Sequence, residues 1–178
     1  MTYKVNSLNK TSLNPLKIKL CSIVIMLLLV AVDQLIKYFV DLYLKPIGSV
    51  PVLSKVLQFS YYENDGAMMG LMNGKTLTMT VLAVICLVVI SFVIFSGKIR
   101  FGVDYCCIIL MMSGGLGNII DRIFRGYVID YIEVLFIDFY IFNFADCLVT
   151  CAAVVMICNQ IYEIYKENKA KKVKSSDD

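Results

Sequence analysis

Histidine is absent from this chain of 178 residues. Without an imidazole, the chain can build neither a Ser-His-Asp triad nor a Cys-His nucleophile pair. A zinc site with imidazole ligands is excluded for the same reason. Several common catalytic devices are therefore ruled out before any motif is considered.

Charged residues are scarce, at 17% of the chain, whereas hydrophobic residues make up 59%. A soluble domain is about a quarter charged and nearer half apolar. The excess of apolar side chains needs a lipid environment. The length suits a single domain. The net charge of +3 is too small to indicate a nucleic-acid partner, and no basic stripe with interleaved aromatic residues is present.

The cysteines form no C-x-x-C motif, and all of them lie in apolar stretches. There are seven of them: Cys21, Cys86, Cys106, Cys107, Cys147, Cys151 and Cys158. This placement favours their interpretation as small buried hydrophobes. A disulfide framework is not expected, and no cluster of ligands indicates a metal or another cofactor.

Long apolar runs predict an α-helical polytopic membrane protein, because a membrane-spanning helix needs about 20 mostly apolar residues. The predicted helices cover about residues 20–44, 76–96, 104–121 and 142–162. Polar tails occupy residues 1–19 and 163–178, and the second tail is rich in lysine. The segment "VLQFSYY", residues 56–62, is β-branched and aromatic and predicts a strand.

The distribution of lysine and arginine predicts the orientation. The two tails and the turn at residues 97–104 hold eleven basic residues, against five in residues 45–75 and 121–142. Basic residues concentrate on the cytoplasmic side of membrane proteins. Both termini are therefore expected in the cytoplasm, and the strand becomes part of a small extracytoplasmic β-element.

Four carboxylates are expected at one level, the outer boundary of the membrane: Asp33, Asp121, Asp130 and Asp146. Charges inside a membrane are costly and usually face a protein interior or a wet cavity. Asp130 lies in the loop predicted between helices 3 and 4, but its surroundings, "YVIDYIEV", are apolar. Glu133 and Asp138 are expected to be solvated loop acids.

Several of these residues also have structural interpretations. Asp33 and Lys37 are four residues apart on one helix and could form an ion pair. Asp121 and Asn118 could be a polar brace. The glycines in "GGLGN", residues 114–118, could let helix 3 approach a neighbour closely. The segment "NDGAMMG", residues 64–70, is a turn signal that could also hold an extended peptide.

Taken together, four blocks resemble the bacterial lipoprotein signal peptidases, or signal peptidase II. They are "DQLIK" at residues 33–37, "NDGAMMG" at 64–70, "GGLGNIIDR" with "VIDYI" at 114–132, and "FNFAD" at 142–146. Each block is weak alone, but the four occur in the family's order. The family fold has four helices and a small extracytoplasmic β-element.

The resemblance implies a plasma-membrane aspartic endopeptidase that removes the signal peptide of prolipoproteins and cuts before the cysteine that carries diacylglycerol. It makes residues 20–162 a membrane peptidase domain and places the catalytic pair at Asp130 and Asp146. Positions that support or contact the site map to Asp33, Lys37, Asn64, Gly66, Asn118, Asp121, Arg122, Asn143 and Ala145. Two positions depart from the family pattern, Asp65 and Cys147.

The implied chemistry agrees with the missing histidine. Two close carboxylates cannot both ionise easily, so they can share one proton. One then takes a proton from water while the other donates to the carbonyl oxygen. The expected partners are lipid-modified prolipoproteins and membrane lipids, and the chain is expected to be a monomer without cofactors.

Other functions remain open at this stage. Membrane carboxylates also serve as proton relays in proton-coupled transporters. Such transporters usually place their site near the midplane and often contain repeats, whereas these acids lie at helix ends and no repeat is visible. A non-enzymatic subunit and a serine–lysine protease that uses Ser113 are weaker alternatives. No lysine lies near Ser113 in the sequence.

Overall fold

The computed structural model describes residues 14–66, 76–96, 101–137 and 139–174. Four helices within these residues are long and apolar enough to cross a membrane. They are accompanied by a small three-stranded antiparallel sheet. The predicted fold class, a polytopic helical membrane protein with a small β-element, is confirmed.

Helix α1 spans Pro15–Phe39 and continues as a π-helical turn, Val40–Leu44. It begins at residue 15 rather than 20 because Asn14 caps it: the Asn14 Oδ1 accepts a hydrogen bond from the Leu16 N–H at 2.9 Å. Proline suits the first helical position, where an N–H would have no partner within the helix.

The other helices are α2, Thr76–Phe95, α3, Val103–Phe124, and α4, Phe144–Lys174. Helix α4 continues to residue 174, whereas the apolar run predicted an end at 162. Lysine and glutamate are good helix formers, so the loss of apolar residues does not end the helix. Helix α3 packs against α1, α2 and α4 and is the centre of the bundle.

Strands β1, Ser49–Leu53, β2, Leu57–Asn64, and β3, Val128–Val134, form the sheet with β2 in the middle. The segment predicted as a strand overlaps β2. Asp130 and Glu133 were expected in a loop and lie on β3 instead. The first four residues of β3 are all buried, so the strand lacks the alternation of apolar and polar residues that would have identified it.

Gly126 connects α3 to β3 with a φ of +84°. This left-handed conformation costs glycine little, whereas a side chain would strain it. The chain can therefore reverse directly after α3 and place β3 beside β2. In that register Asp130 lies opposite Tyr62, and Val128 lies opposite Asn64.

Two glycines of α3 allow close contacts with its neighbours. A Cβ at Gly114 would come within 2.3 Å of the Ala145 carbonyl oxygen, and one at Gly117 would come within 2.5 Å of the Asp33 Oδ2. The close approach predicted from the glycines is therefore present. It brings the start of α4 and the C-terminal part of α1 against one turn of α3.

The prediction that the cysteines are buried is wrong for most of them. All seven are free, but Cys21, Cys86, Cys106, Cys151 and Cys158 are exposed, while Cys107 is buried and Cys147 is half-buried. Large hydrophobic side chains are exposed along the four helices as well. An apolar stretch of sequence does not distinguish a packed interior from a surface that lipid tails would cover.

Candidate functional site

Asp130 is buried, with 1% of its surface exposed, on the part of β3 that faces the bundle. Its Oδ1 accepts a hydrogen bond from the Asn143 Nδ2 at 2.6 Å. Its Oδ2 accepts another from the Asn64 Nδ2, on the neighbouring strand β2, at 2.7 Å. Residues from β2 and from the start of α4 therefore fix the carboxylate from both sides.

Asp146 is held by the first turn of α4. Its backbone N–H donates to the Asn143 Oδ1 at 3.0 Å, and its Oδ2 accepts from the Asn143 N–H at 3.1 Å. This reciprocal arrangement is a capping box, which satisfies two N–H groups that a helix start leaves without partners. Its other oxygen, Oδ1, accepts from the Asn118 Nδ2 of α3 at 2.8 Å.

Asn143 links the two carboxylates. Its Nδ2 donates to the Asp130 Oδ1 and also to the Asn118 Oδ1, at 2.6 and 3.1 Å. Asn118 in turn donates to Asp146. Asn143 is fully buried, so this network is shielded from solvent on that side. Two carboxylates from different elements thus share one chain of amide hydrogen bonds.

A buried ionic cluster lies against this network. The Lys37 Nζ is 2.9 Å from the Asp33 Oδ2 and 2.7 Å from the Asp121 Oδ2. It also donates to the Asn118 Oδ1 at 2.9 Å. The three charged side chains are at most 1% exposed. The ion pair predicted between Asp33 and Lys37 is present, and Asp121 extends it to a second helix.

Two of the remaining predicted residues also join this region. The Ala145 N–H donates to the Asp33 Oδ1 at 3.2 Å, which ties α4 to α1. The Gly66 N–H donates to the Asn64 Oδ1 at 3.1 Å and helps to orient that amide. The interaction of Arg122 is weaker, because its Nη1 lies 3.5 Å from the carbonyl oxygen of Asn118.

Other acidic residues considered in the sequence analysis lie outside this network or outside the described residues. Glu133 is half-buried on β3 and accepts a hydrogen bond from the Gln58 Nε2 at 2.6 Å. Asp65 is exposed. Asp138 and residues 67–70 of the "NDGAMMG" block lie outside the described residues.

Sequence reasoning missed Gln34 and Arg125. The Arg125 Nη1 contacts the Asp121 Oδ1 and donates to the Gln34 Oε1 at 3.3 Å. The Gln34 Nε2 lies 3.2 Å from both the Asp33 Oδ2 and the Asp121 Oδ1. One signal was available, because Arg125 follows Asp121 by four residues and could pair with it on a helix.

Comparison with known proteins identifies the family. The family model for signal peptidase (SPase) II matches residues 25–162. The chain belongs to the signal peptidase II family. The resemblance drawn from the four sequence blocks is therefore confirmed.

Curated signal peptidase II relatives cover most of the chain. A lipoprotein signal peptidase from Caldanaerobacter subterraneus is 34% identical over 135 residues, which cover 76% of this chain and 92% of the relative. A lipoprotein signal peptidase from Clostridioides difficile is 35% identical over 150 residues, which cover 84% of this chain and 98% of the relative.

Two solved structures of bacterial membrane enzymes resemble the fold. Their TM-scores are 0.73 and 0.70, with 29% and 31% sequence identity. The matches cover 81% and 79% of this chain, and 89% and 92% of the solved chains. The likeness therefore extends over most of the chain.

The pKa of Asp130 is strongly perturbed by its surroundings. Burial, followed by the negative charge of Asp146, raises the pKa of Asp130 to about 7, although hydrogen bonds from Asn64 and Asn143 act in the opposite direction. At neutral pH the protonated and ionised forms of Asp130 are then similarly populated. Such a group can both donate and accept a proton, which is what general acid–base catalysis requires.

Proposed function

We propose that this chain is an aspartic endopeptidase that removes the signal peptide of diacylglyceryl-modified prolipoproteins and cuts before the lipidated cysteine. Membership of the signal peptidase II family supports a membrane peptidase that processes lipoproteins. The observation that carries the aspartic mechanism is the hydrogen-bonded chain from Asp130 through Asn143 and Asn118 to Asp146.

In the proposed mechanism, Asp130 and Asp146 act on one water molecule and one peptide bond. The ionised carboxylate removes a proton from the attacking water, and the protonated one donates to the carbonyl oxygen of the scissile bond. The raised pKa of Asp130, about 7, supports a pair that holds a single proton at neutral pH. Asn64, Asn118 and Asn143 keep the two carboxylates oriented while the proton moves.

The remaining positions would support this pair rather than react. Asp33, Lys37 and Asp121 form the ionic cluster that holds Asn118. Gly66 orients Asn64, and Ala145 fixes the start of α4 on Asp33. Arg122 is half-buried beside Asn118 and adds a positive charge near the carboxylates.

The proposed topology places both termini in the bacterial cytoplasm and the site near the outer leaflet. Residues 20–162 would form the membrane peptidase domain, with cytoplasmic tails at 1–19 and 163–178. The excess of basic residues in the two tails and in residues 97–104 supports this orientation. In a variant without native cysteines, an external thiol reagent should label a cysteine at position 55 but not one at position 171.

A site near the outer leaflet suits a lipidated substrate. The acyl chains can stay in the bilayer while the peptide enters the polar site, and each buried methylene contributes about 0.8 kcal/mol. That anchoring would also fix the depth of the scissile bond relative to the carboxylates. We propose that the protein works as a monomer, with membrane lipids and prolipoproteins as its partners.

Cleavage of a defined precursor tests the proposal. The purified protein is incubated with a diacylglyceryl-modified prolipoprotein and, separately, with the same precursor without lipid. Release of the signal peptide is followed on a gel, and mass spectrometry locates the cut. Rapid cleavage before the cysteine of the lipidated precursor alone is expected. Equal rates for the two precursors, or a cut elsewhere, would contradict the proposed specificity.

Chelators and thiol blockers provide a second test, because the proposed chemistry needs neither a metal nor a cysteine. Cleavage should stay near normal with both reagents. A large loss that an added metal reverses would overturn the aspartic mechanism. The site also lies at one end of the helices, which does not favour a proton-coupled transporter.

A further inference from the structure

The fully buried part of the ionic cluster has two carboxylates but only one cation. Asp33 and Asp121 are both carboxylates, and Lys37 is the single cation between them. An ammonium group has three N–H donors. In this cluster the Lys37 Nζ forms ion pairs with Asp33 and Asp121 and donates a hydrogen bond to the Asn118 Oδ1. One buried negative charge thus remains without a cation, which is costly in a site removed from water.

Arg125 supplies the second cation. It follows the last residue of α3, is 27% exposed, and reaches inward to the Asp121 Oδ1, the oxygen that Lys37 does not contact. Its Nη1 also donates to the Gln34 Oε1 at 3.3 Å. Gln34 lies between Asp33 and Asp121 and donates toward both. Arg125 and Gln34 together complete the side of the cluster that Lys37 leaves open.

We propose that Arg125 is a positioning residue for the Asp130–Asp146 pair, acting through Asp121, Lys37 and Asn118. This inference rests on the aspartic mechanism proposed above. With Arg125 present, Asp121 is shared between two cations, and one N–H of Lys37 remains directed at the Asn118 Oδ1. That bond makes Asn118 present its amide N–H group to Asp146.

Without Arg125, Lys37 alone would compensate two buried carboxylates. Its ammonium would be drawn toward Asp33 and Asp121, and the hydrogen bond to Asn118 would weaken. The amide of Asn118 would then be free to turn away from Asp146. A small misplacement of a catalytic group can slow a reaction strongly, even when the altered residue does not touch the substrate.

Loss of Arg125 would also change the electrostatic potential at the pair. The charged groups facing this region from α1, α3, β3 and α4 are Asp33, Lys37, Asp121, Arg122, Arg125, Asp130 and Asp146. Removing a cation from this set makes the surroundings of Asp130 more negative. The pKa of Asp130, already raised to about 7, would then rise further, and the pH profile of cleavage would move to higher pH.

The experiment compares Arg125→Gln and Arg125→Lys with the control Lys55→Gln. Lys55 is exposed in the turn between β1 and β2, so its variant removes the same charge away from the site. Single-turnover cleavage of lipidated precursor is measured from acid to alkaline pH. Arg125→Gln should cleave about tenfold more slowly than wild type at neutral pH, while its KM stays within about twofold of the wild-type value. Its pH profile of cleavage should shift to higher pH by about half a unit. Arg125→Lys should recover most of the rate, and Lys55→Gln should match wild type.

A double variant keeps the test decisive if Arg125→Gln folds poorly. Asp121→Asn removes the charge that Arg125 compensates, so Asp121→Asn/Arg125→Gln should be no slower than Asp121→Asn alone. If Arg125→Gln keeps the wild-type profile, or loses only thermal stability, the positioning role is wrong. The positioning role is also wrong if the double variant cleaves much more slowly than Asp121→Asn.

Asp130→Asn separates failure of this inference from failure of the proposed function. If Asp130→Asn cleaves normally, the aspartic mechanism itself is wrong. If Asp130→Asn is inactive while Arg125→Gln is unaffected, only the positioning role is overturned.

Discussion

The two ends of β3 carry the same functional group in opposite environments. Asp130 is buried between Asn64 and Asn143, close to Asp146. Glu133, at the other end of the strand, pairs with Gln58 on the sheet. Burial and a neighbouring carboxylate raise the pKa of Asp130, whereas hydrogen bonds from Gln58 and Ser60 lower the pKa of Glu133.

The difference shows that the surroundings decide which acid can transfer a proton near neutral pH. Both ends of the strand belong to one sheet, but only the first packs against the helices that hold Lys37 and Asn118. Glu133, whose pKa is lowered by hydrogen bonds from Gln58 and Ser60, stays ionised at neutral pH. The variants below compare substitutions near the buried Asp130 with substitutions at more exposed positions.

The largest expected effect is on catalysis at the buried end. Asp130→Asn and Asp146→Asn keep the side-chain shape but cannot cycle a proton. Each should fold, bind precursor and cleave it orders of magnitude more slowly in single-turnover assays. Because the two carboxylates of the proposed pair act jointly, the double variant should cleave only slightly more slowly than either single variant. Near-normal cleavage by either single variant would exclude this pair, and Asp121 would be tested next.

The next effect is on stability, and it contrasts two lysines. Lys37 is fully buried between two carboxylates, whereas Lys45 pairs with Glu63 on the surface and is 47% exposed. Lys37→Met should lose roughly 3–5 kcal/mol of unfolding free energy, because it leaves buried charges unpaired. Lys45→Met should lose far less, because water screens the exposed pair and solvates the partner that remains. Thermal unfolding in detergent compares them, and equal losses would contradict the contrast.

A pH effect on stability should follow from the raised pKa of Asp130. The folded protein holds this proton up to about pH 7, whereas an ordinary aspartate releases it near the reference value of 3.8. Between about pH 4 and pH 7 the native state therefore binds one more proton than the unfolded state. The contribution of Asp130 to the free energy of unfolding falls as the pH rises through this range. Asp130→Asn should remove this loss and be more stable than wild type above pH 7, by roughly 2–4 kcal/mol. The difference should disappear near pH 4, and a difference independent of pH would contradict it.

The smallest effect is expected at the open end of β3. Glu133→Gln removes a charge without changing the shape, and Gln58 can still hydrogen-bond the new amide. Cleavage should stay within about twofold of wild type, as for other surface changes. A loss comparable to that of Asp130→Asn would show that the two ends of the strand are not functionally distinct.

The sequence predicted the parts of the fold that depend on local composition. Four apolar runs specified the four helices, and the β-branched segment at residues 56–62 specified part of β2. Strand β3 was missed because its buried half shows no alternation and its pairing with β2 joins distant residues. The π-helical turn after α1 and the exposure of most cysteines left no signal in local composition either.

The site was predictable where a motif contained its residues. The resemblance provided Asp130, Asp146 and the supporting positions, and the spacing of Asp33 and Lys37 indicated their ion pair. The contact of Arg125 with Gln34 was not predicted because the two residues are 91 positions apart in the sequence. The unequal environments of Asp130 and Glu133 likewise depend on packing between a strand and helices.

The most direct test is to measure the pKa of Asp130. Aspartate labelled with ¹³C at the carboxyl carbon is titrated by NMR in the purified protein, and Asp130→Asn assigns the signal. The pKa should be about 7 in the wild type. In Asp146→Asn it should fall but stay above the ordinary value, because burial remains when the neighbouring charge is removed. A wild-type pKa near 4, or a raised value that Asp146→Asn leaves unchanged, would contradict a coupled pair.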